Sequence, residues 1–369
     1  MNNKLCIIYN TAPRYREAIF RAIDEEYDCD WYFGETKTDI KEMDISLLKN
    51  VSYYKTIGNR SKLFWQCGML KCLFSKKYDR YLYLAETRSL ATWAFIVLAH
   101  YLFPKKKIYS WSHGFYGKES KLQTKLETWR YNLQDGAFVY GNYARKLMIE
   151  NGVCADKLHT IHNSLHYGEQ LELRKNMSPT GIYKEHFGSD APVIVFIGRL
   201  TKVKQLDLLL HALDLLNKKG ERYNLVFVGD GSERKMLEEI MKEKHLEKQI
   251  WFYGACYDET TNASLIYNAD LCVAPGNVGL TAMHTMVFGT PVISHNDFKW
   301  QMPEFEAIKP GETGDFFARE NVDSLADSIS RWFANKADKR EEVREACYKE
   351  IDSQWTPEFQ INVLKSVIE

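Results

Sequence analysis

No stretch of this 369-residue chain is apolar for long enough to cross a bilayer. The longest such run, LATWAFIVLAHYLF at 90–103, has 14 residues, where a span needs about 20. It reads as a buried helix. The opening MNNKLCIIYN lacks the apolar h-region of a secretory signal. Cysteines at metal spacing are missing as well: the eight present (Cys6, Cys29, Cys67, Cys72, Cys154, Cys256, Cys272, Cys347) are scattered, with no CxxC pair and no Cys/His array. Cys6, Cys256 and Cys272 lie in or beside strand-like runs and are expected to be small buried hydrophobes. A cytoplasmic protein with reduced thiols is expected, and the sequons at Asn59, Asn176 and Asn262 then carry no meaning. There is no internal repeat and no low-complexity tract. Net charge is absent too, since 49 Lys+Arg balance 49 Asp+Glu. The last absence is local: APGNVGLTAMHTMVFGTPVI, at 274–293, contains neither Asp nor Glu.

The balanced total hides an uneven distribution. Residues 51–150 hold 17 Lys/Arg against 6 Asp/Glu, while the first 50 lean acidic. A basic segment rich in aromatics fits an anionic partner, either phosphorylated lipid at a membrane surface or nucleic acid, or it is simply a solvated basic face. Short β-rich runs alternate with amphipathic helical stretches along nearly the whole chain. The strand runs include KLCIIYN, DWYFG, SYYKTIG, RYLYLAE and KKIYSWS early, and PVIVFIG, YNLVFVG, QIWFYG, DLCVAPG and GTPVIS late. Continuous apolar strands separated by helices predict parallel sheets covered on both faces. The polar stretch 166–191 reads as a linker. The expected organisation is two doubly wound, Rossmann-like α/β domains, 1–165 and 192–352, facing a central cleft where such folds bind ligands. A last helix within 353–369, begun by Pro357, is expected to cross back to the first domain.

Three strings in the second half carry chemistry. VIVFIGRLTKVKQLDLLLHAL ends a buried strand on Gly198 and then presents Arg199 and Lys204, a planar fork and a point charge suited to a diphosphate. YNLVFVGDGSERKMLEEI makes a tight strand-to-helix turn at Gly229, Asp230 and Gly231, with Ser232 as the expected cap. NVGLTAMHTMVFGTPVI turns at Gly279 into a helix start, where free N–H groups bind phosphate without cationic side chains. Asn277 and Thr281 add polar groups there.

Together these strings resemble the nucleotide-sugar half of GT-B glycosyltransferases, of the retaining family 4 type. The resemblance is specific across roughly 190–320 and reaches only the level of fold over 1–165. Family members show a GRL…K string, a GxG turn, then two Glu separated by seven residues ahead of GxPVI. Gly198, Arg199, Leu200, Lys204, Gly229, Gly231, Gly279, Leu280, Met286, Gly289, Pro291, Val292 and Ile293 match in register. Asn163, in LHTIHNSLHYG, matches the segment that usually precedes the linker. The two Glu do not match: the first falls on Gly276 and the second on His284. The second family Glu accepts hydrogen bonds from the nucleotide ribose. His284 offers one neutral ring nitrogen for that task. The first sits near the donor sugar, where Asn277 is the available substitute. Asp297, Glu304 and Glu306 follow in sequence without an assigned place.

The resemblance implies transfer of a sugar from a nucleoside diphosphate to a hydroxyl acceptor with retention. Catalytic positions are Arg199, Lys204 and His113, the last ending the strand IYSWS and resembling a His near the family's reacting centre. The donor site comprises Gly198, Asp230, Asn277, Val278, Gly279, Leu280, Thr281 and His284, with Tyr253 and Gly254 as the base-binding turn. Thr11, Arg14, Tyr15 and Arg16, after the first strand, and Glu86 are expected on the acceptor side. The sequence DCD at 28–30 spells the metal motif of the other glycosyltransferase fold but precedes its strand, and is read as chance. No metal or other cofactor is therefore expected. The partners expected are the nucleotide sugar and a saccharide or lipid-linked acceptor, with peripheral contact to an anionic membrane at the inner face of the cell membrane and no nucleic acid. Polysaccharide biosynthesis is the commonest role of such chains. An inverting transferase, an epimerase of the same fold and a non-catalytic nucleotide or sugar binder stand as alternatives, as does an inactive, degenerate site.

Overall fold

The computed structural model describes residues 4–34, 41–59 and 62–369. These fall into two compact units, one of 1–166 with 356–369 and the other of 167–355.

In the first unit seven strands form a parallel sheet. They are β1 (Leu5–Tyr9), β2 (Cys29–Gly34), β3 (Val51–Tyr54), β6 (Arg80–Leu84), β7 (Lys107–Ser112), β8 (Gly136–Val139) and β9 (Leu158–Thr160), in the order β3-β2-β1-β6-β7-β8-β9. Two short strands, β4 (Thr56–Gly58) and β5 (Phe64–Gln66), pair antiparallel beside it. SYYKTIG, expected as one strand, thus divides at Lys55 between the sheet and this hairpin. The central strands are buried on both faces, which is why they read as unbroken apolar runs. Helices Glu17–Glu26 and Pro357–Ile368 contribute Ile19, Phe20, Ile23, Leu364 and Ile368 to the core that also holds Trp31 and Trp111. Helix Leu90–Leu102, the long apolar run, joins a second core around Tyr81 and Tyr83.

The second unit carries a six-stranded parallel sheet of β10 (Val193–Ile197), β11 (Asn224–Val228), β12 (Ile250–Gly254), β13 (Leu271–Ala274), β14 (Val292–His295) and β15 (Gly314–Phe317), ordered β12-β11-β10-β13-β14-β15. The strand order reverses on either side of β10, which makes its carboxyl end a topological switch point. β15 lies in GETGDFF, which has too few apolar residues to read as a strand. It forms because β14 offers a paired edge.

The stretch 166–191 is a correction to the sequence reading. It holds two helices, Tyr167–Lys175 and Ile182–Phe187, that belong to the second unit. Their apolar content is small, so periodicity did not show them. They are held by polar anchors: Arg174 forks onto Asp352 at 2.9 and 2.7 Å, and the Tyr183 hydroxyl donates to the Leu265 carbonyl at 2.6 Å. No helix among the described residues is long and apolar enough to cross a membrane.

Candidate functional site

The carboxyl ends of β10, β11 and β13 converge on backbone with no room for side chains. A Cβ at Gly229 would lie 1.9 Å from the Gly198 oxygen, and one at Gly231 would lie 2.3 Å from the Leu200 oxygen. A Cβ at Gly276 would stand 2.1 Å from the Val203 oxygen. Contacts that close forbid any residue but glycine. The Gly276 amide donates to the Lys204 carbonyl at 2.9 Å, which fixes the approach. Position 276 is therefore not a place from which a Glu was merely lost; the local path of the chain excludes one.

That approach delivers Lys204 to the turn before helix Leu280–Met286. Its ammonium donates to the Asn277 carbonyl at 2.7 Å and to Asn277 Oδ1 at 2.9 Å, and it sits 3.8 Å from where a Gly279 Cβ would stand. Burial pushes the Lys204 pKa down to about 8, opposed by the charge of Glu304 and reinforced by that of Arg199. The two cations therefore repel across one space, and Arg199 is exposed. Glu304, unplaced by sequence, is buried within electrostatic reach of Lys204.

The helix start is narrower than expected. Leu280 and Thr281 open the helix, and their amides have no acceptor within it. Val278 is spent: its N–H donates to Gln301 Oε1 at 2.9 Å. The Thr281 hydroxyl is committed too, donating to the Ile197 carbonyl at 3.0 Å and tying the helix to β10. Asn277 has given its amide oxygen to Lys204, so only its NH2 can face a sugar. Gln301 was invisible to sequence reasoning, because nothing in KWQMPEF marks it. It is buried and also donates to Ser294 Oγ at 2.8 Å and to the His295 carbonyl at 3.1 Å, bracing the turn.

Around the second turn, Asp230 accepts from the Gly231 amide at 2.7 Å and lies 3.7 Å from Arg234. Ser232 does not cap the following helix, Arg234–Glu243; Glu233 occupies that position without a side-chain cap. The Gly229 amide donates to the Gly254 carbonyl at 2.8 Å, joining this turn to the Tyr253–Gly254 turn. Tyr253 is half-buried, its ring edge-on to Trp251 at 5.1 Å. Cys256, just beyond, is half-exposed and lies outside any strand, unlike the buried Cys6 and Cys272.

His284 differs most from expectation. Its Nε2 lies 3.0 Å from Glu259 Oε1. Burial raises the Glu259 pKa, but hydrogen bonds and charge from His284, with Gln170, outweigh it and hold the carboxyl below the usual range. An ionised carboxylate only accepts, so Nε2 carries the hydrogen and is not itself an acceptor. A carboxylate thus stands beside the acid-free stretch, supplied by another helix.

In the first unit, Thr11, Glu86 and His113 follow the carboxyl ends of β1, β6 and β7. Glu86 accepts from Asn10 and Gln66, each at 3.4 Å. Thr11 is buried, with its amide bonded to Asn10 Oδ1 at 2.8 Å. The turn Arg14–Arg16 separates its three residues: Arg14 is exposed, Tyr15 half-buried and Arg16 buried. The Arg16 guanidinium lies 5.1–5.9 Å from the rings of Tyr9, Tyr15, Trp111 and Tyr140. The His113 pKa is pushed down to about 4 by burial and by the charge of Arg16. The DCD carboxylates hold lysines: Asp28 and Asp30 bracket Lys4 at 2.8 and 3.0 Å, and Asp30 also pairs with Lys77. Among the described residues no group of three or more His, Cys, Asp or Glu is placed to hold a metal ion.

Residues 182–350 match the family model for glycosyl transferases group 1. A 41.2 kDa protein of unknown function from the cps region of Klebsiella pneumoniae is 28% identical over 211 residues, covering 55% of this chain and 53% of its own. A glycosyltransferase of Methanocaldococcus jannaschii, itself uncharacterized, is 28% identical over 183 residues, covering 48% and 45%. The chain thus spans about half the length of these curated relatives. Among solved structures, HepE of Anabaena in complex with UDP superposes with a TM-score of 0.72 at 16% identity, over 98% of this chain and 99% of that one. Sheet order agrees with the solved structures: the chain's two Rossmann-like units have the GT-B fold, and the match to the glycosyl transferases group 1 model, residues 182–350, lies within the second of them.

Proposed function

We propose that the protein is a retaining glycosyltransferase of the family 4 type. It moves a sugar from a nucleoside diphosphate to a hydroxyl of a saccharide or lipid-linked acceptor. The observation that carries this reading is the half-buried Lys204 ammonium, anchored on Asn277 and facing Arg199 beside a helix start. Departure of the diphosphate is the hard step. Lys204, Arg199 and the Leu280 and Thr281 amides are placed to stabilise its growing charge, and loss of one such preorganised donor costs on the order of 3 kcal/mol in other enzymes. With this charge on protein groups, the reaction needs no divalent metal, and activity is expected to survive EDTA.

Retention follows from the family resemblance. An inverting transferase would need a general base, and burial with the charge of Arg16 pushes the His113 pKa down to about 4. In the retaining route the leaving phosphate takes the acceptor proton on the same face. Glu86 is the residue left for the inverting alternative. UDP is the first nucleotide to test, since the HepE structure contains it. The likeness to a protein of a cps region supports a role in surface polysaccharide synthesis. The place of action proposed with it is the cytoplasmic face of the membrane. Membrane contact would use the basic, aromatic segment 59–80, of which 60–61 lie outside the described residues. Its Lys71, Lys76 and Lys77 are exposed. Charge reversal at these three is expected to abolish co-sedimentation with anionic liposomes.

The deciding experiment is a thermal-shift screen against UDP, GDP, ADP, CMP and their sugars. A ligand that binds only the native state raises its melting temperature by mass action. One base should produce a shift, and Lys204→Ala should remove it. No shift with any of these ligands would overturn the reading. With the matching sugar nucleotide and an acceptor, the anomeric proton of the product reports retention directly.

A further inference from the structure

Three helices of the second unit meet at one carboxylate. Glu259 opens helix Glu259–Asn268, whose start is fixed by Asp258 accepting from the Thr261 amide at 2.7 Å. Gln170, from helix Tyr167–Lys175, donates to Glu259 Oε1 at 2.8 Å. His284, from helix Leu280–Met286, reaches the same oxygen at 3.0 Å. Both donors use Oε1, and Asn262, on Glu259's own helix, adds a further hydrogen bond to the carboxylate, whose two oxygens offer about four acceptor sites in all. The Glu259 side chain is 33% exposed and that of His284 19%. With a third of its side chain open to solvent, the carboxylate can be reached from outside the cluster.

The position of the cluster points to its ligand. His284 lies four residues beyond Leu280, so it stands about 6 Å along the axis from the amides that open the helix. That is roughly the reach from the phosphorus of a nucleoside diphosphate to the hydroxyls of its ribose. A carboxylate, with two oxygens that only accept, is the side chain suited to two neighbouring hydroxyl donors. Nucleotide-binding α/β folds of other kinds place an acidic residue on ribose for that reason.

We propose that Glu259, aimed by His284 and Gln170, accepts the vicinal hydroxyls of the nucleoside's ribose. His284 is a positioning residue that acts through Glu259. The inference rests on the reading of this unit as a nucleoside-diphosphate site. It moves the missing carboxylate from the helix that lacks it to a neighbouring one.

The test is calorimetry on the full chain with whichever of UDP, GDP or ADP raises its melting temperature, paired with the 2′-deoxy form of the same diphosphate. Wild type should bind the ribonucleotide about tenfold or more tightly, the loss expected for a charged hydrogen bond left unmade. Glu259→Ala should abolish the difference between the two forms, weakening the ribonucleotide most and the deoxy form, which keeps its 3′ hydroxyl, less. His284→Ala should lose part of the same discrimination. Glu259→Gln keeps the shape of the cluster but removes the charge and one acceptor oxygen, and should reduce the discrimination where the alanine variant fails to fold. Wild-type protein that binds both forms equally would overturn the inference. So would a Glu259 variant that keeps wild-type discrimination, or one that weakens both forms alike, as a purely structural tie would. Failure of the underlying reading looks different: no nucleotide binds wild type, or Lys204→Ala binds as wild type does.

Discussion

At the scale of single residues, Lys204 is the group whose chemistry the fold has altered most usefully. An ammonium half-withdrawn from water beside another cation titrates near pH 8. In the unfolded chain it would hold its proton to about 10.5. Between those values the unfolded state binds more protons, so this residue makes folding less favourable below pH 8 and the penalty fades as pH rises to 10.5. A diphosphate reverses the balance, because it binds the charged form. Nucleotide affinity should therefore fall above pH 8, by about tenfold between pH 7 and pH 9. Calorimetry at the two pH values checks this. Lys204→Met should bind weakly at both, without the slope. A wild-type affinity flat across that range would mean that the ammonium plays no part in binding.

At the scale of elements, the turn at 274–279 shows how far sequence alone reaches. The glycines of GDG marked a place where backbone closes on backbone, those of GRL…K and NVGL marked positive φ, and most of the order of strands and helices was legible from apolar runs. The fate of individual donors was not. Val278 loses its amide to Gln301, and Thr281 loses its hydroxyl to Ile197. Both partners lie more than twenty residues away, and no local pattern announces them. Glu259 escaped notice for the same reason, since it reaches His284 across 25 positions. β15 and the helices of 166–191 were missed because pairing and polar anchors, not apolar periodicity, hold them. The turn also makes a prediction of its own. Replacing Gly276 by Glu restores the family residue in sequence but drives a Cβ into the Val203 carbonyl. Gly276→Glu should therefore lower the melting temperature steeply and lose nucleotide binding, with an expected cost of at least about 3 kcal/mol, within the range of severe overpacking and strain. A stable, more active Gly276→Glu variant would show that the carboxylate's absence is a loss and not a requirement of this backbone.

At the scale of the whole molecule, the chain visits the first unit twice. Residues 356–369 belong with 1–166, and 167–355 form the other unit between them. The return is built into the sequence: Thr356 caps helix Pro357–Ile368 by accepting from the Phe359 amide at 3.1 Å, and Pro357 suits its first turn. Ile361, Leu364 and Ile368 then enter the same core as Phe20 and Trp31. Gln360, fully buried, fixes the register by donating to the His162 carbonyl at 2.8 Å and accepting from Ser164 at 2.6 Å. The first unit therefore cannot complete its core until the last residues of the chain are present, whereas the second has all its strands within one continuous segment. A cavity made in that helix should act on one unit only. Leu364 is fully buried, and Leu364→Ala should cost the first unit about 2–5 kcal/mol. Urea unfolding followed by tryptophan fluorescence should resolve an earlier transition, since Trp31 and Trp111 report from that core. Nucleotide affinity, which the proposed function assigns to Lys204 and its neighbours in the second unit, should stay within about twofold of wild type while the first unit remains folded, since residues without shared partners act independently. A single unshifted transition, or a nucleotide affinity that falls in step with the lost stability, would mean that the two units share their stability despite their separate cores.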